Sequence, residues 1–216
     1  MHQLEARPIH VQHVARLALQ LFDGLAALHG LGPRERLLLE AAGYLHDIGH
    51  QYDFLGLGHH KESARLIREQ AWKNLDRAEV ELIAQIARYH RKAMPDFSHE
   101  EFRALSEADR AIVQCLAGLL RLGDSLDRSH AQLISGLTVE LRPPSSASGQ
   151  AGLVALHLEA TGPIVREVSA AQIKADLAML VFQREFLFLS GGKPVEIPAS
   201  PSSASGQAPS SAAGQG

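Results

Sequence analysis

The sequence predicts a mainly α protein: a helical bundle, then a small α+β subdomain, then a disordered tail. Three observations carry this expectation. From about residue 8 to 130 apolar residues recur at helical spacing. After Gln132 two short segments alternate apolar and polar residues, as strands do. Beyond Pro198 the chain consists of Ser, Ala, Gly, Gln and Pro, a composition too poor in apolar side chains to fold. The expected divisions are residues 1–132, 133–197 and 198–216.

Ile9, His10, His13, Val14, Leu17, Ala18, Leu21 and Phe22 mark one face of a first helix. Pro33 after Gly32 suits a first helical position. It opens a second helix expected to be deeply buried through Leu37, Leu38, Leu39, Ala41, Ala42 and Leu45. Gly49 and the stretch 56–58 break it. A third helix is expected from near His59, carrying Ala64, Leu66 and Ile67. Asp76 followed by Glu79 has the form of a capping box, and starts a fourth helix through Val80, Ile83, Ile86 and Ala87. Ser106 to Asp109 is another helix start, leading into the apolar run Ile112 to Leu126.

Leu137–Arg142 and Leu153–Leu158 read as strands around a flexible loop at 143–150. A sixth helix starts at Ser169 and runs through Leu177 and Val181, and Phe186–Leu189 closes the chain's ordered part as a strand. The octapeptide PSSASGQA occurs at 144–151 and again at 201–208, which reads as low-complexity expansion.

Composition narrows the function classes. A net charge of −3 with 45% apolar and 21% charged residues describes an ordinary globular chain and supplies no basic field for nucleic acid. No apolar stretch reaches membrane-spanning length. The single cysteine, Cys115, sits in an apolar run and reads as a buried, inert thiol, so there is no disulfide framework and a reducing compartment is expected. The N-terminus lacks the order of a signal peptide. These points lead to the expectation of a cytoplasmic protein.

The chemistry is concentrated in His46-Asp47, which ends the apolar second helix. An imidazole and a carboxylate there carry a desolvation cost that a divalent cation would remove. Histidine is abundant, with 12 in the chain. Each helical segment carries a metal-type ligand: His10 or His13, then His46 and Asp47, then His59 and His60, then His90, then Asp124. Two histidines and two aspartates make a mononuclear site; adding His60 and His90, with Asp47 bridging, makes a binuclear one. This mixture suits Mn, Fe, Co, Ni or Zn, and its carboxylates suit Mg. Arg91, Lys92 and Arg128 follow the ligands closely and are candidates to receive phosphate oxygens. His29 and His157 read as satisfied core histidines, and His50 as a helix-end cap. His99 and His130 receive no assignment.

The segments His10 to Ala18, Tyr44-Leu45-His46-Asp47-Ile48-Gly49, His59-His60-Lys61-Glu62-Ser63-Ala64, Ala87 to Lys92 and Leu122 to His130 together resemble the HD-domain metal-dependent phosphohydrolases. More narrowly, they are similar to the C-terminal HD-type region of the Ppx/GppA exopolyphosphatase and pppGpp phosphohydrolase family, over most of residues 8 to 190. The resemblance implies an HD-type bundle and one or two divalent ions. Val14-Ala15 selects His10 over His13, and the spacing to Ser63-Ala64 selects His60 over His59. The implied ligands are therefore His10, His46, Asp47, His60, His90 and Asp124.

In that family, actin-like domains carry the catalysis, and this sequence does not contain them. Several members have lost ligands in the HD-type region, whereas this chain keeps the full set. The resulting expectation is hydrolysis of a phosphoester or phosphoanhydride (a nucleotide, (p)ppGpp or polyphosphate) by a metal-activated water, with Asp47, Lys92, Arg91 and Arg128 taking part. The alternatives are a non-catalytic accessory module for ligand binding or homodimerisation through strand edges, and a di-iron oxygenase.

Overall fold

The computed structural model describes residues 8–53, 58–143 and 152–198. The expected 143–150 loop, with Pro143 excepted, and the expected tail beyond Pro198 lie outside them. Helix α1 (Pro8–Gly24) is the axis of the helical part, with its apolar stripe of Val14, Leu17, Ala18 and Leu21 fully buried. Short α2 (Ala26–His29) ends at Gly30, whose φ of 63° is the left-handed conformation glycine adopts without strain. Pro33 opens α3 (Pro33–Leu45), and the Glu35 carboxylate accepts the Gly32 N–H at 2.8 Å. Leu38 and Leu39 are buried, but Leu37 is 63% exposed, because three successive residues cannot share one helix face.

A 3₁₀ turn (Ile48–Tyr52) follows, then α4 (His59–Glu69). The capping box starts α5 (Arg77–Arg88): Asp76 accepts from the Glu79 N–H at 2.8 Å, and Glu79 accepts from the Asp76 N–H at 3.1 Å. After α6 (Glu100–Arg103), Ser106 caps α7 (Glu107–Ser125) by accepting the Asp109 N–H at 3.1 Å. Helix α7 packs on α1 and α5, and α3 packs on α1.

Two close approaches depend on glycine. A Cβ at Gly43 would stand 2.8 Å from the Ala15 Cβ, so α3 reaches α1 only without it. At Gly49 a Cβ would meet the His59 carbonyl oxygen at 2.3 Å, so the 3₁₀ turn touches the start of α4 only through glycine.

The C-terminal part corrects the expected fold class. Strands β1 (Ile134–Arg142), β2 (Leu153–Ala160), β3 (Glu185–Ser190) and β4 (Lys193–Pro194) form one mixed sheet in that order. The β1–β2 and β3–β4 pairs are antiparallel, while β2–β3 is parallel. A parallel pair needs a crossover, which α8 (Val165–Lys174) and α9 (Asp176–Phe182) supply. The expected single sixth helix is thus two helices, beginning four residues earlier. Strand β1 packs on α1, and α8 and α9 pack on α7. Ile134, Leu137, Val154, Leu156 and Phe188 join Val14, Leu17, Leu116 and Leu120 in one core. The molecule is therefore α+β, and not mainly α with a small appendage: the sheet buries its apolar face on the helices and completes their core. No helix among the described residues is long and apolar enough to cross a membrane.

Candidate functional site

The helices deliver their polar ends to one place. His10 lies in the first turn of α1, His46 caps the end of α3, and Asp47 precedes the 3₁₀ turn. His59 begins α4, His90 follows α5, and Asp124 is next to last in α7. His10, His46, Asp47, His59 and His90 are at most 4% exposed.

The two aspartates are the hub. Asp47 Oδ1 lies 3.7 Å from His46 Nε2, 3.7 Å from His90 Nε2 and 3.5 Å from His59 Nε2. Asp47 Oδ2 lies 3.9 Å from His10 Nε2 and 3.7 Å from His50 Nε2. Asp124 Oδ1 is 3.4 Å from His10 Nε2 and 3.7 Å from His46 Nε2.

Backbone and carboxylate acceptors aim these rings. His46 Nδ1 donates to the Gly43 carbonyl at 2.7 Å, and His90 Nδ1 donates to the Ala87 carbonyl at 2.6 Å, each three residues back. His10 Nδ1 pairs with Asp127 Oδ2 at 2.8 Å. Asp127 is fully buried and also accepts from the Gln132 backbone N–H at 2.9 Å and its side-chain amide at 3.0 Å. Partners of this kind fix ring orientation and raise donor strength in metal sites.

The charges show the strain of the arrangement. Burial disfavours the His10 imidazolium, but the carboxylates of Asp124 and Asp127, with Asp47 beyond, raise its pKa to about 9. His46 is also raised: burial opposes its charge, and Asp47 and Asp124 overcome that. His90 falls to about 3 and His59 to about 4, burial being the main cause in both. Asp124 sits well below the usual carboxylate range: burial opposes this, and His10 and His46 override it.

The donor set fits a cation. With Nδ1 donating to a carbonyl, a neutral His46 or His90 turns a bare Nε2 lone pair toward carboxylate oxygens. His10 Nε2 and His46 Nε2 are buried and make no hydrogen bond among the described residues. Two ligands each ~2.1 Å from one ion are at most ~4.2 Å apart, and the separations of 3.4–3.9 Å fall inside that limit. Three adjoining triads, His10/His46/Asp124, His46/Asp47/His90 and Asp47/His50/His59, each have donor atoms within 4.8 Å of one another.

Most of the residues expected from sequence meet here, with instructive exceptions. His59, not His60, turns toward Asp47. His60 is 5% exposed and belongs to none of the triads, and its pKa falls to about 4 through burial and the neighbouring His59. Successive helical residues point about 100° apart, so only one of the two can face the centre. His13, one turn beyond His10, instead contacts Arg16 Nη2 at 3.0 Å. Arg91 and Arg128 line a cavity of about 360 Å³ over the two aspartates. Lys92 does not line it: it adopts a φ of 60°, and its backbone carbonyl accepts from Arg121 at 3.5 Å.

Sequence reasoning missed His50, which stacks on His59 at 3.9 Å instead of capping a helix, and His130, whose ring lies 4.0 Å from that of His10. It also missed Asp127 and Lys174. Asp127 stands three residues after Asp124, a spacing that puts both on one face, and that was the available signal. Lys174 carried none, since only the packing of α8 on α7 brings it to the cavity.

The fold and site define an α+β protein with a buried histidine and aspartate centre under an open polar cavity. Residues 2–151 match the family model for Ppx/GppA phosphatase, domain III, and the chain belongs to that family. The match spans α1 through β1 and ends before β2. No curated protein matches the chain.

Proposed function

We propose that this protein is an HD-type, metal-dependent phosphohydrolase module acting on a phosphoester or phosphoanhydride. The observation that carries the reading is the pair of buried Nε2 atoms, on His10 and His46, facing the Asp47 and Asp124 carboxylates without a hydrogen bond among the described residues. His10, His46, Asp47, His90 and Asp124 would hold one divalent ion or share two, and His59 and His50 extend the donor set beside Asp47.

When bound, such an ion supplies Lewis acidity toward a phosphoryl oxygen and lowers the pKa of water at the site. The chain's own groups do the rest. Asp127, Gly43 and Ala87 hold the His10, His46 and His90 rings in fixed orientation. Arg91 and Arg128 border the cavity and can orient phosphoryl oxygens by charge-assisted hydrogen bonds. Membership in the Ppx/GppA phosphatase family supports phosphate chemistry.

Metal content after dialysis in mixed divalent ions, together with phosphate release from nucleotides and polyphosphate with added Mn²⁺, tests the proposal. Roughly stoichiometric metal and release abolished by Asp47→Ala are expected. A metal-free protein in metal-replete buffer, or release indifferent to Asp47→Ala, would overturn it. The match to a third domain of a phosphatase favours a second reading, a ligand-binding module without turnover, which would show metal and phosphate binding and no release.

A further inference from the structure

Helix α8 lies outside the region that matches the family model, yet one of its faces closes the cavity. Glu167, Ala170 and Lys174 follow the i, i+3, i+7 spacing of a single helix face, with Ile173 at its edge. Ala170, Ile173 and Lys174 line the cavity together with Asp47 and Asp124. Glu167 is buried at 1% exposure and accepts the Ser129 backbone N–H at 3.1 Å, beside Arg128 and His130.

A second buried group ties the same face to the other side of the cavity. Arg121 of α7 is 1% exposed and donates to both carboxylate oxygens of Asp176, at 2.9 and 3.0 Å, two residues past Lys174. Its other nitrogen donates to the Tyr89 carbonyl at 3.1 Å, just before His90 and Arg91. Two buried charged side chains thus anchor the backbone beside each of three cations: Arg91 and Lys174 through Arg121, and Arg128 through Glu167.

We propose that Lys174 binds a phosphoryl group of the ligand, completing with Arg91 and Arg128 a set of three cations in the cavity that Asp47 and Asp124 also line. Three cations held around one cavity repel one another, and nothing in the packing of α8 requires an ammonium on this face. Burial lowers the Lys174 pKa and the charge of Arg121 adds to this; the carboxylates of Asp176 and Asp124 oppose it, and Arg91 acts with Arg121. A multiply charged phosphoryl group relieves that repulsion and meets each cation through charge-assisted hydrogen bonds. Arg91 and Arg128 lie within the region that matches the family model and Lys174 lies beyond it, so Lys174 is the member of the trio that sets ligand preference for this chain's own cavity. The inference rests on the proposed function for the identity of the ligand as a phosphate.

Isothermal titration of inorganic phosphate into the full chain, both Mn²⁺-loaded and chelator-stripped, tests it. Lys174→Gln is expected to raise the phosphate Kd about tenfold with melting temperature and metal content unchanged. Lys174→Arg should recover most of the affinity, and Ala170→Glu, which adds a carboxylate to the cavity, should weaken it further. Phosphate binding by Lys174→Gln equal to wild type, or a wild type that binds no phosphate in either state, would overturn the inference. Wild-type metal content reports separately on the proposed function: a chain that binds phosphate through Lys174 but holds no metal would sink that reading and leave this one standing.

Discussion

Helix α7 borders two cavities of opposite character. Near its C-terminal end, Asp124 and Ser125 face a space of about 360 Å³ lined by charged and imidazole groups. Nearer its start, Ala108, Ala111, Ile112 and Cys115 face a larger space of about 480 Å³, lined with Leu28, Leu31, Val181 and Phe182. The one polar ring there, His29, is satisfied: its Nε2 donates to the Phe22 carbonyl at 2.8 Å, and its Nδ1 accepts the Leu31 N–H at 2.9 Å. Behind the smaller cavity, His10 and His46 turn buried nitrogens toward Asp47 and Asp124, the carboxylates that line it. Size therefore says little about where chemistry sits. Polar groups that are buried, aimed and left to be satisfied by a ligand say much more.

The difference can be broken at its hub. Asp47→Ala removes the carboxylate that stands within 4 Å of five histidines. Bound metal, measured by inductively coupled plasma mass spectrometry, is expected to fall below roughly a hundredth of wild-type affinity, a larger loss than the 10–100-fold typical of an orienting partner. Retained stoichiometric metal would show that the aspartate is only structural.

Next in size is the ion pair between buried Arg121 and half-exposed Asp176, beside the polar cavity. Arg121→Met strips a donor from the Tyr89 carbonyl and a partner from Asp176. Breaking a buried pair costs about 3–5 kcal/mol. Because the Asp176 side chain is 43% exposed and regains water, the lower end, about 3 kcal/mol, is expected in urea unfolding.

A subtler change separates orientation from coordination. Asp127→Asn keeps the shape beside His10 Nδ1 but removes the charge. Metal affinity is expected to drop ~10–100-fold while the fold persists, as for other groups that orient ligating histidines. Unchanged affinity would mean that the His10 ring is held by packing alone.

The apolar cavity supplies the smallest effect and a control. Burial raises the Cys115 thiol to about 12, so it stays protonated and inert in the native state. Ellman's reagent is expected to label it only after denaturation. The sign of the linked stability follows: the unfolded chain loses this proton at lower pH than the folded one. The contribution is present below about pH 9 and declines as pH rises toward 12, by ~1.4 kcal/mol per unit. Comparing wild type with Cys115→Ala between pH 8 and 10 reads that slope directly.

Much of both regions was legible along the chain, for reasons that are local. The apolar periodicity of α1, the capping box at Asp76 and Glu79, and the alternation in β1 and β2 depend on neighbours within a few residues. So does the placing of His46-Asp47 at the end of an apolar helix. The burial of Cys115 was likewise readable from its run. Misjudgements arose where distant packing decides. Leu37 faces solvent because α3 offers only one side to α1. His59 replaces His60 because rotation about the α4 axis, fixed by the contact at Gly49, selects one of two adjacent rings.

By itself, then, the sequence determined which side chains could bind a cation and that they fall at helix ends. Spacing within a helix or strand dictates that much. The tertiary structure alone decided that the sheet shares the helices' core, that Asp127 and His130 meet His10, and that Lys174 reaches the cavity. Those facts depend on how α8 packs on α7 and how a parallel strand pair forces a crossover. They involve residues separated by tens of positions, whose meeting no local pattern encodes.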